Sequence, residues 1–329
     1  MLFIDNKGIT DPAVNLALEE YALKHINTGE DFLLFYINEP SIIIGKNQNT
    51  VEEINGAYVK EHGIHVVRRL SGGGAVYHDL GNLNFSFITK DDGQSFHNFR
   101  KFTEPVVQAL HSLGVDAQLT GRNDIQVGER KISGNAQFVT KGRMFSHGTL
   151  MLASEIENVV SALNVNQDKI KSKGVKSIRS RVANISEFLA EPITMDEFKR
   201  KLLVSIFGGE DIPEYQLSEE EWAAVRQLAD ERYRSWDWNY GKSPAFNIRK
   251  TGRLEGIGTF DLRLDVAGGV IAGVAIYGDF FGAEDAAEFA EKLQGVRYEE
   301  SAVEKLLEDV ELSRYFGPMT REQWLGLMF

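Results

Sequence analysis

The residues best suited to chemistry lie in a glycine-rich segment between two apolar runs, Arg68-Arg69-Leu70-Ser71-Gly72-Gly73-Gly74-Ala75-Val76-Tyr77-His78-Asp79. Three successive glycines permit positive φ angles and a close approach by a ligand. Backbone N–H groups in such a turn can bind an anion beside the two arginines. A flexible hairpin tip is the alternative interpretation. A Walker A loop is excluded because no Gly-Lys-Ser/Thr follows, and a dinucleotide fingerprint because Tyr77 replaces its third glycine.

A second segment, residues 121–137, places Lys131 directly after a Gly128-Glu129 turn. A long cationic side chain there could point into a cleft and neutralise a carboxylate and a phosphate together. Asp124 could hold Mg²⁺ on nucleotide phosphates, because that ion favours one or two carboxylates plus phosphate oxygens. The alternatives are a solvated surface charge for Lys131 and a turn or capping role for Asp124.

A third segment, Lys169–Arg181, carries six Lys and Arg residues and no acid. This pattern favours a loop that faces an anion, and a merely solvated loop is the competing interpretation.

Strands and helices must position these segments. Apolar runs predict strands over residues 32–37, 41–45, 65–69, 75–78 and 83–88, followed by shorter strands to about residue 152. Helices are predicted after a cap at Thr10 or Asp11, from Phe99 to Leu113, and at two capping boxes, Thr194…Glu197 and Ser218…Glu221.

The sequence of the C-terminal part predicts a compact β-meander over residues 246–280 and helices over residues 283–293 and 301–308. We therefore expect a domain boundary near residue 245, with domains 1–245 and 246–329. Strands and helices that do not alternate regularly favour an α+β architecture over a doubly wound sheet.

Composition limits the classes of protein. The chain has 329 residues, no cysteine and a net charge of −12. The missing thiol excludes disulfides, thiolate zinc sites and a cysteine nucleophile. The acidic balance argues against nucleic-acid binding. No apolar run is long enough to span a membrane and the N-terminus lacks a secretory signal, so a cytoplasmic location is expected.

Four stretches together resemble the lipoate–protein ligases: residues 68–87, 121–137, 146–151 and 173–185. The resemblance extends to the Trp236–Pro244 tract and the C-terminal domain. It implies a mixed β-sheet catalytic domain of the type shared with biotin protein ligases and class II synthetase cores, plus a small α+β C-terminal domain.

The resemblance also implies site residues. Lys131 matches the catalytic lysine that contacts the lipoyl carboxylate and the α-phosphate, and Asp124 matches a position near the Mg²⁺. The basic stretch matches a mobile loop that folds over the adenylate in relatives. The implied ATP and adenylate contacts are Arg69, Gly74, Ala75, Val76, Tyr77, Asn123, Asp124, Lys131, Lys173, Arg179 and Arg181. The implied lipoate contacts are Arg69, Ser71, Gly73, Gly74, His78, Lys131, Ser133 and His147.

The implied reaction uses ATP and Mg²⁺ to convert lipoate to lipoyl-AMP and then transfers the lipoyl group to an acceptor lysine. Expected acceptors are lipoyl domains of 2-oxoacid dehydrogenase acyltransferase subunits, the glycine cleavage H protein, or both. The main alternative is a lipoyl or octanoyl transferase between carrier proteins, but such relatives depend on a cysteine acyl-enzyme. A biotin ligase and a catalytically silent lipoate binder are the remaining alternatives.

Overall fold

The computed structural model describes residues 1–48, 50–163, 181–240, 248–267, 270–298 and 300–329. The chain divides into two compact units. The first unit is Met1–Ile44, Val51–Arg69 and Ala75–Asn239, and the second is Gly45–Thr50, Leu70–Gly74 and Tyr240–Phe329. The boundary predicted near residue 245 falls within residues 241–247, which lie outside the described residues, so the predicted domain limits stay a prediction.

Among its described residues, the first unit has ten strands: β1 Leu2–Asp5, β2 Phe32–Ile37, β3 Ser41–Ile44, β4 His65–Arg68, β5 Val76–His78, β6 Asn82–Lys90, β7 Ala117–Thr120, β8 Asp124–Val127, β9 Arg130–Thr140 and β10 Arg143–Met151. Seven of them form a mixed sheet in the order β1-β2-β6-β10-β9-β8-β7. β1 and β2 run parallel, and the other neighbours are antiparallel. The predicted strands are confirmed, with ends shifted by one or two residues.

A smaller sheet has the order β4-β3-β5. β3 is parallel to β4 and antiparallel to β5. The two strands that flank the glycine segment therefore both pair with β3 and not with each other. The hairpin-tip interpretation of this segment is wrong, because the chain between β4 and β5 must cross from one side of β3 to the other.

In the part of the chain before residue 240 that the structure describes, the helices are α1 Pro12–Lys24, α2 Thr50–Glu53, α3 Gly56–Glu61, α4 Phe99–Ser112, α5 Ile156–Ala162, α6 Met195–Phe207, α7 Glu219–Leu228 and α8 Trp236–Asn239, with a 3₁₀ turn at Ile185–Phe188 and a π-helical turn at Ala229–Tyr233. The predicted cap of α1 is confirmed at Asp11, whose Oδ1 accepts from the Ala13 N–H at 2.8 Å. Both predicted capping boxes are also present.

One hydrophobic core of the first unit lies between the main sheet and two helices, α4 and α6. Phe85, Phe102, Leu110, Phe198 and Leu202 are among its buried side chains. Burying one such side chain stabilises the fold by roughly 1.5–3 kcal/mol. Amphipathic spacing thus fixes both helices against one face of the sheet.

The second unit contains an antiparallel meander of β11 Ile248–Leu254, β12 Gly258–Ala267 and β13 Val270–Gly278. Its helices are α9 Ala286–Leu293, α10 Glu300–Leu307, α11 Ser313–Phe316 and α12 Arg321–Met328. The predicted meander is confirmed. α9 begins three residues later than predicted, because Asp285 caps it by accepting from the Ala287 N–H.

The centre of the second unit's core is a group of packed aromatic side chains: Phe260, Phe280, Phe289, Phe316 and Trp324. Among the residues that the structure describes, no helix is both long and apolar enough to span a membrane.

Candidate active site

A β-bulge determines where Lys131 points. Asp124 pairs with Gly134 and Ile125 with Ser133, but Gln126 pairs with Lys131, so β9 contains one extra residue, Ile132. Without that residue, strand alternation would place Lys131 opposite Val127, on the other face of the sheet. Bulges redirect side chains in this way. Here the bulge puts Lys131 on the face that carries Asp124.

The Lys131 Nζ lies 2.8 Å from the Asp124 Oδ1, and the two side chains are 35% and 33% exposed. An ion pair this open to water stabilises the fold by only about 0–1 kcal/mol, so the ammonium can turn toward a substrate at small cost. The side chain crosses Gly134, where an added Cβ would lie 2.9 Å from Nζ and 3.1 Å from Cε. A bare backbone at position 134 therefore leaves the space that Lys131 occupies.

The backbone of Lys131 is held from its other side. Its N–H donates to the Arg181 carbonyl at 2.8 Å, and the Ala183 N–H donates to the Lys131 carbonyl at 2.9 Å. Arg181 is thereby brought beside Lys131, and within the described part of the chain its buried Nη2 has no hydrogen-bond acceptor. The other two predicted contacts of the basic stretch, Lys173 and Arg179, lie outside the described residues.

Asn123 and Ser133 have structural contacts of their own. The Asn123 Nδ2 donates to the Asn135 carbonyl, which joins β8 to β9. Ser133 pairs with Ile125 on the opposite face of the sheet from Lys131, and its hydroxyl accepts from the Asn135 Nδ2 at 3.2 Å. Asn123 and Ser133 are therefore close to Lys131 along the chain. The Ser133 side chain, however, lies on the opposite face of the sheet from Lys131.

The glycine segment is divided between the two units. Arg69, Ala75, Val76 and Tyr77 belong to the first unit, whereas Leu70–Gly74 belongs to the second. Ala75 directly precedes β5, within which Val76 is half-buried and Tyr77 is buried.

Within the second unit, Gly73 has a φ of +92° and its N–H donates to the Phe280 carbonyl at 3.4 Å. A Cβ on Gly72 would lie 2.3 Å from that same carbonyl oxygen, whereas a Cβ on Gly74 would meet nothing closer than 4.0 Å. Two of the glycines are thus required by packing and backbone conformation.

A second group of predicted residues is buried in the first unit. The Arg69 side chain is fully enclosed and donates from Nη1 to the Ile43 carbonyl at 3.0 Å. Burial lowers the pKa of Arg69 to about 10. Electrostatic interactions with Tyr36 and Glu19 act in the opposite direction and raise it. The His147 Nδ1 lies 2.9 Å from the Glu19 Oε1, and both side chains are buried.

His78 is 4% exposed, and burial, Arg69 and His147 together lower its pKa to about 3. Arg69 and His147 therefore both lie within electrostatic range of His78. The structure thus groups Arg69, His78 and His147, three of the four ionisable residues predicted to contact lipoate, whereas the fourth, Lys131, pairs with Asp124.

One face of the main sheet carries residues of both groups. Gly134 and Ala136 are two residues apart on β9, and both lie on the same face of the sheet as Lys131. Ala136 pairs with His147 on β10. Lys131 and Ala136 are five residues apart, which is roughly 16 Å along a strand. This face can therefore hold an extended molecule that reaches from Lys131 toward His147.

Comparison with known proteins gives two family matches. Residues 11–207 match the lipoyl protein ligase A/B catalytic domain, and residues 243–328 match the bacterial lipoate protein ligase C-terminus. The chain is 61% identical over 332 residues to a lipoate–protein ligase of Bacillus subtilis, and 55% identical over 328 residues to lipoate–protein ligase 1 of Staphylococcus aureus, with full coverage of both proteins. The chain belongs to the lipoate–protein ligase family.

Solved lipoate–protein ligases have the same fold. A bipartite ligase from Thermoplasma acidophilum, determined with its E2 lipoyl domain, has a TM-score of 0.64 and 33% identity, covering 75% of this chain and 98% of that one. A lipoate–protein ligase A bound with ATP has a TM-score of 0.61 and 31% identity, with coverages of 73% and 97%. The predicted fold class and the ligase activity are confirmed.

A third structure, a putative ligase from T. acidophilum with bound lipoic acid, has a TM-score of 0.62 and 31% identity, covering 74% of this chain and 98% of that one.

Two residues of the ligase that the sequence analysis did not single out, Glu19 and Tyr36, face the predicted site residues. Glu19 is a buried acid paired with His147, and Tyr36 lies close enough to Arg69 and Glu19 to interact electrostatically. Glu19 has a sequence signal, because Glu19 and Glu20 are the two acidic residues in the segment Pro12–Lys24, whose other residues are mostly apolar. Tyr36 has none, since an aromatic residue inside an apolar strand is ordinary core.

Proposed function

We propose that this ligase uses ATP to convert lipoate to lipoyl-AMP and then transfers the lipoyl group to a lysine of a lipoyl-domain protein. The observation that carries the proposal is the exposed Lys131 ammonium, which a bulge directs to the sheet face that also bears His147. Relatives with bound lipoic acid, with bound ATP and with an E2 lipoyl domain support the two substrates and the acceptor class.

In the first half-reaction, a carboxylate oxygen of lipoate attacks the α-phosphorus of ATP. A new P–O bond forms while the bond to the pyrophosphate oxygen breaks, and the electron pair leaves with pyrophosphate. Negative charge builds on the α-phosphate, where Lys131 and Arg69 stabilise it. Removing one such contact costs about 2.7–4 kcal/mol, or about a hundred- to a thousandfold in rate.

Asp124 would hold Mg²⁺ in this arrangement. Its carboxylate is about one-third exposed, so it is accessible to an ion carried by the nucleotide. The described residues contain no cluster of three or more His, Cys, Asp or Glu side chains that could form an all-protein metal site. A single carboxylate together with phosphate oxygens and water fits the usual binding of Mg²⁺, which neutralises phosphate charge when bound.

In the second half-reaction, the amine of an acceptor lysine attacks the carbonyl carbon of lipoyl-AMP. The C–N bond forms, the C–O bond to AMP breaks, and the amine loses a proton. The enzyme has no cysteine, so a thioester to the enzyme cannot precede this transfer. Acceptors of the proposed reaction are lipoyl domains of 2-oxoacid dehydrogenase complexes and the glycine cleavage H protein.

The test is lipoate-dependent exchange of labelled pyrophosphate into ATP, in the absence of any acceptor protein. The native enzyme should show exchange, and Lys131→Ala should lower it by about a hundred- to a thousandfold. Arg130→Ala is the matched control, because Arg130 is adjacent and similarly exposed but pairs with Glu187. Arg130→Ala should retain nearly full exchange. Normal exchange by Lys131→Ala, or none by the native enzyme, would refute the proposal.

A further inference from the structure

A chain of buried amide side chains leads to His78. Four residues from different parts of the first unit form this chain, and all are nearly inaccessible to solvent: Asn6, Asn15, Asn38 and His78. The Asn6 Nδ2 donates to the Asn15 Oδ1 at 2.9 Å, and the Asn15 Nδ2 donates to the Asn38 Oδ1 at 2.9 Å. The Asn38 Nδ2 then lies 3.0 Å from the His78 Nδ1.

Backbone carbonyls fix the orientation of the first amides. The Asn15 Nδ2 lies 2.9 Å from the Ile9 carbonyl oxygen and 3.2 Å from that of Ile37. Carbonyl oxygens only accept hydrogen bonds, so the nitrogen of Asn15 must face them. The Asn38 atom that faces this nitrogen must consequently be the oxygen, because two NH₂ groups cannot bond to each other.

The orientation of Asn38 determines the tautomer of His78. With its oxygen turned to Asn15, Asn38 presents its NH₂ group to the His78 Nδ1. That ring nitrogen must accept, so a neutral His78 carries its proton on Nε2. Burial and the charges of Arg69 and His147 lower the pKa of His78 to about 3, which keeps the ring neutral at physiological pH.

The Nε2–H group is a buried donor, and in the described part of the chain it has no hydrogen-bond partner. Leaving a buried donor unsatisfied costs about 1–3 kcal/mol. Asn15 and Asn38 direct this donor, although a histidine without them could rotate or change tautomer to reach a partner. Such an arrangement is expected where a bound molecule supplies the acceptor.

We propose that Asn15 and Asn38 are positioning residues that hold His78 as its Nε2–H tautomer, and that this N–H donates to a carboxyl oxygen of the acyl substrate. The inference rests on the proposed function for the identity of the substrate. The carboxyl end is favoured because the buried Arg69 guanidinium donates to the carbonyl of Ile43, which pairs with Val76 two residues before His78, and because its positive charge acts on the His78 ring. A neutral donor beside a buried cation suits an anionic oxygen.

The tautomer is tested directly by ¹⁵N NMR of the histidine-labelled full-length protein. The native protein should show His78 as the Nε2–H form without substrate. Asn38→Asp replaces the amide donor by a carboxylate that only accepts, so the proton should move to Nδ1. Asn6→Ala is the matched control, since Asn15 keeps both backbone carbonyls and the tautomer should not change.

Kinetics test the role of the donor. Asn38→Asp and His78→Leu should raise the KM for lipoate in pyrophosphate exchange on the order of tenfold or more, with a smaller effect on kcat. His78→Gln, whose amide can donate from a similar place, should restore KM to within about threefold of native. Asn6→Ala should keep the native KM.

Octanoate identifies the end of the substrate that His78 contacts, because it has a carboxylate but no dithiolane ring. An equal penalty for octanoate and lipoate supports the carboxyl oxygen, and a penalty for lipoate alone overturns it. A native Nδ1–H form, or an unchanged tautomer and KM in Asn38→Asp, overturns the inference. Absence of exchange in the native protein refutes the proposed function instead, and the NMR result still tests the tautomer.

Discussion

At the scale of single residues, the site depends as much on a missing side chain as on charged ones. Lys131 crosses the bare backbone of Gly134, and its ammonium is held by Asp124 on the neighbouring strand. Gly134 has an ordinary backbone conformation, so a larger residue there would meet only the far end of a flexible lysine. We therefore expect a substitution of Gly134 to impair catalysis and to leave the fold intact.

Gly134→Ala should accordingly separate activity from stability. We expect pyrophosphate exchange to fall by about ten- to a hundredfold, because small misplacements of a charged group are costly in the transition state. The melting temperature should stay within about two degrees of native, since the lysine tip can move aside. Gly209→Ala is the control, because a Cβ there meets nothing within 4 Å. A Gly134→Ala enzyme with native exchange would show that the path of Lys131 over residue 134 is not required.

At the scale of elements, α1 is held to the π-helical turn at Ala229–Tyr233 by a buried acid. Glu20 accepts from the Tyr233 Oη at 2.7 Å and from the Lys24 Nζ at 2.6 Å, and it also pairs with Arg232. Burial alone would raise the pKa of Glu20, but the hydrogen bonds from Lys24 and Tyr233 outweigh it and lower the pKa. The same helix carries Asn15 and Glu19, so its placement affects the buried site residues.

Glu20→Ala should therefore destabilise the first unit. Removing Glu20 leaves the buried Tyr233 hydroxyl without its acceptor, which costs about 1–3 kcal/mol, whereas Lys24 and Arg232 remain accessible to water. Urea unfolding followed by tryptophan fluorescence measures this loss. Glu30→Ala is the control, since its ion pair with the N-terminus lies at the surface and its loss should cost less than about 1 kcal/mol. Equal midpoints for the two variants would contradict the anchoring role of Glu20.

Sequence patterns predicted the start of a helix well where a single local interaction, such as a side-chain cap, determines it. Asp11 and the two capping boxes begin their helices as expected, since a side-chain cap acts within one turn. Pairing between strands was harder. The crossing of β3 by the glycine segment depends on residues 41–44, far from the glycines in sequence.

The site was predicted in part, for similar reasons. Lys131 and Asp124 have types and neighbours that indicate chemistry, and the structure pairs them. The bulge at Ile132 has no sequence signal, because an isoleucine suits any buried strand position. The amide chain through Asn15 and Asn38 also escapes prediction, since its members meet only after β2, β5 and α1 have packed.

At the scale of the whole molecule, the glycine segment links distant parts of the sequence. Within the second unit, Gly278 donates its N–H to the Asn47 carbonyl, and the Lys46 Nζ lies 3.3 Å from the Asp285 Oδ2. A Cβ on Gly45 would lie 1.9 Å from the Gly73 carbonyl oxygen. Residues 45–47 and 72–73 therefore pack with residues near position 280 through close backbone contacts.

Gly72 and Gly74 offer a matched test of this packing, because the same substitution meets different surroundings two residues apart. In Gly72→Ala the Cβ would lie 2.3 Å from the Phe280 carbonyl oxygen, which is backbone and cannot rotate away, whereas in Gly74→Ala nothing lies closer than 4.0 Å. Gly72→Ala should cost about 1–3 kcal/mol of stability, as overpacking does, and Gly74→Ala should cost less than about 0.5 kcal/mol. Calorimetric melting of the full-length protein measures both. Equal losses in the two variants would mean that the Phe280 backbone is not what holds the glycine segment in place.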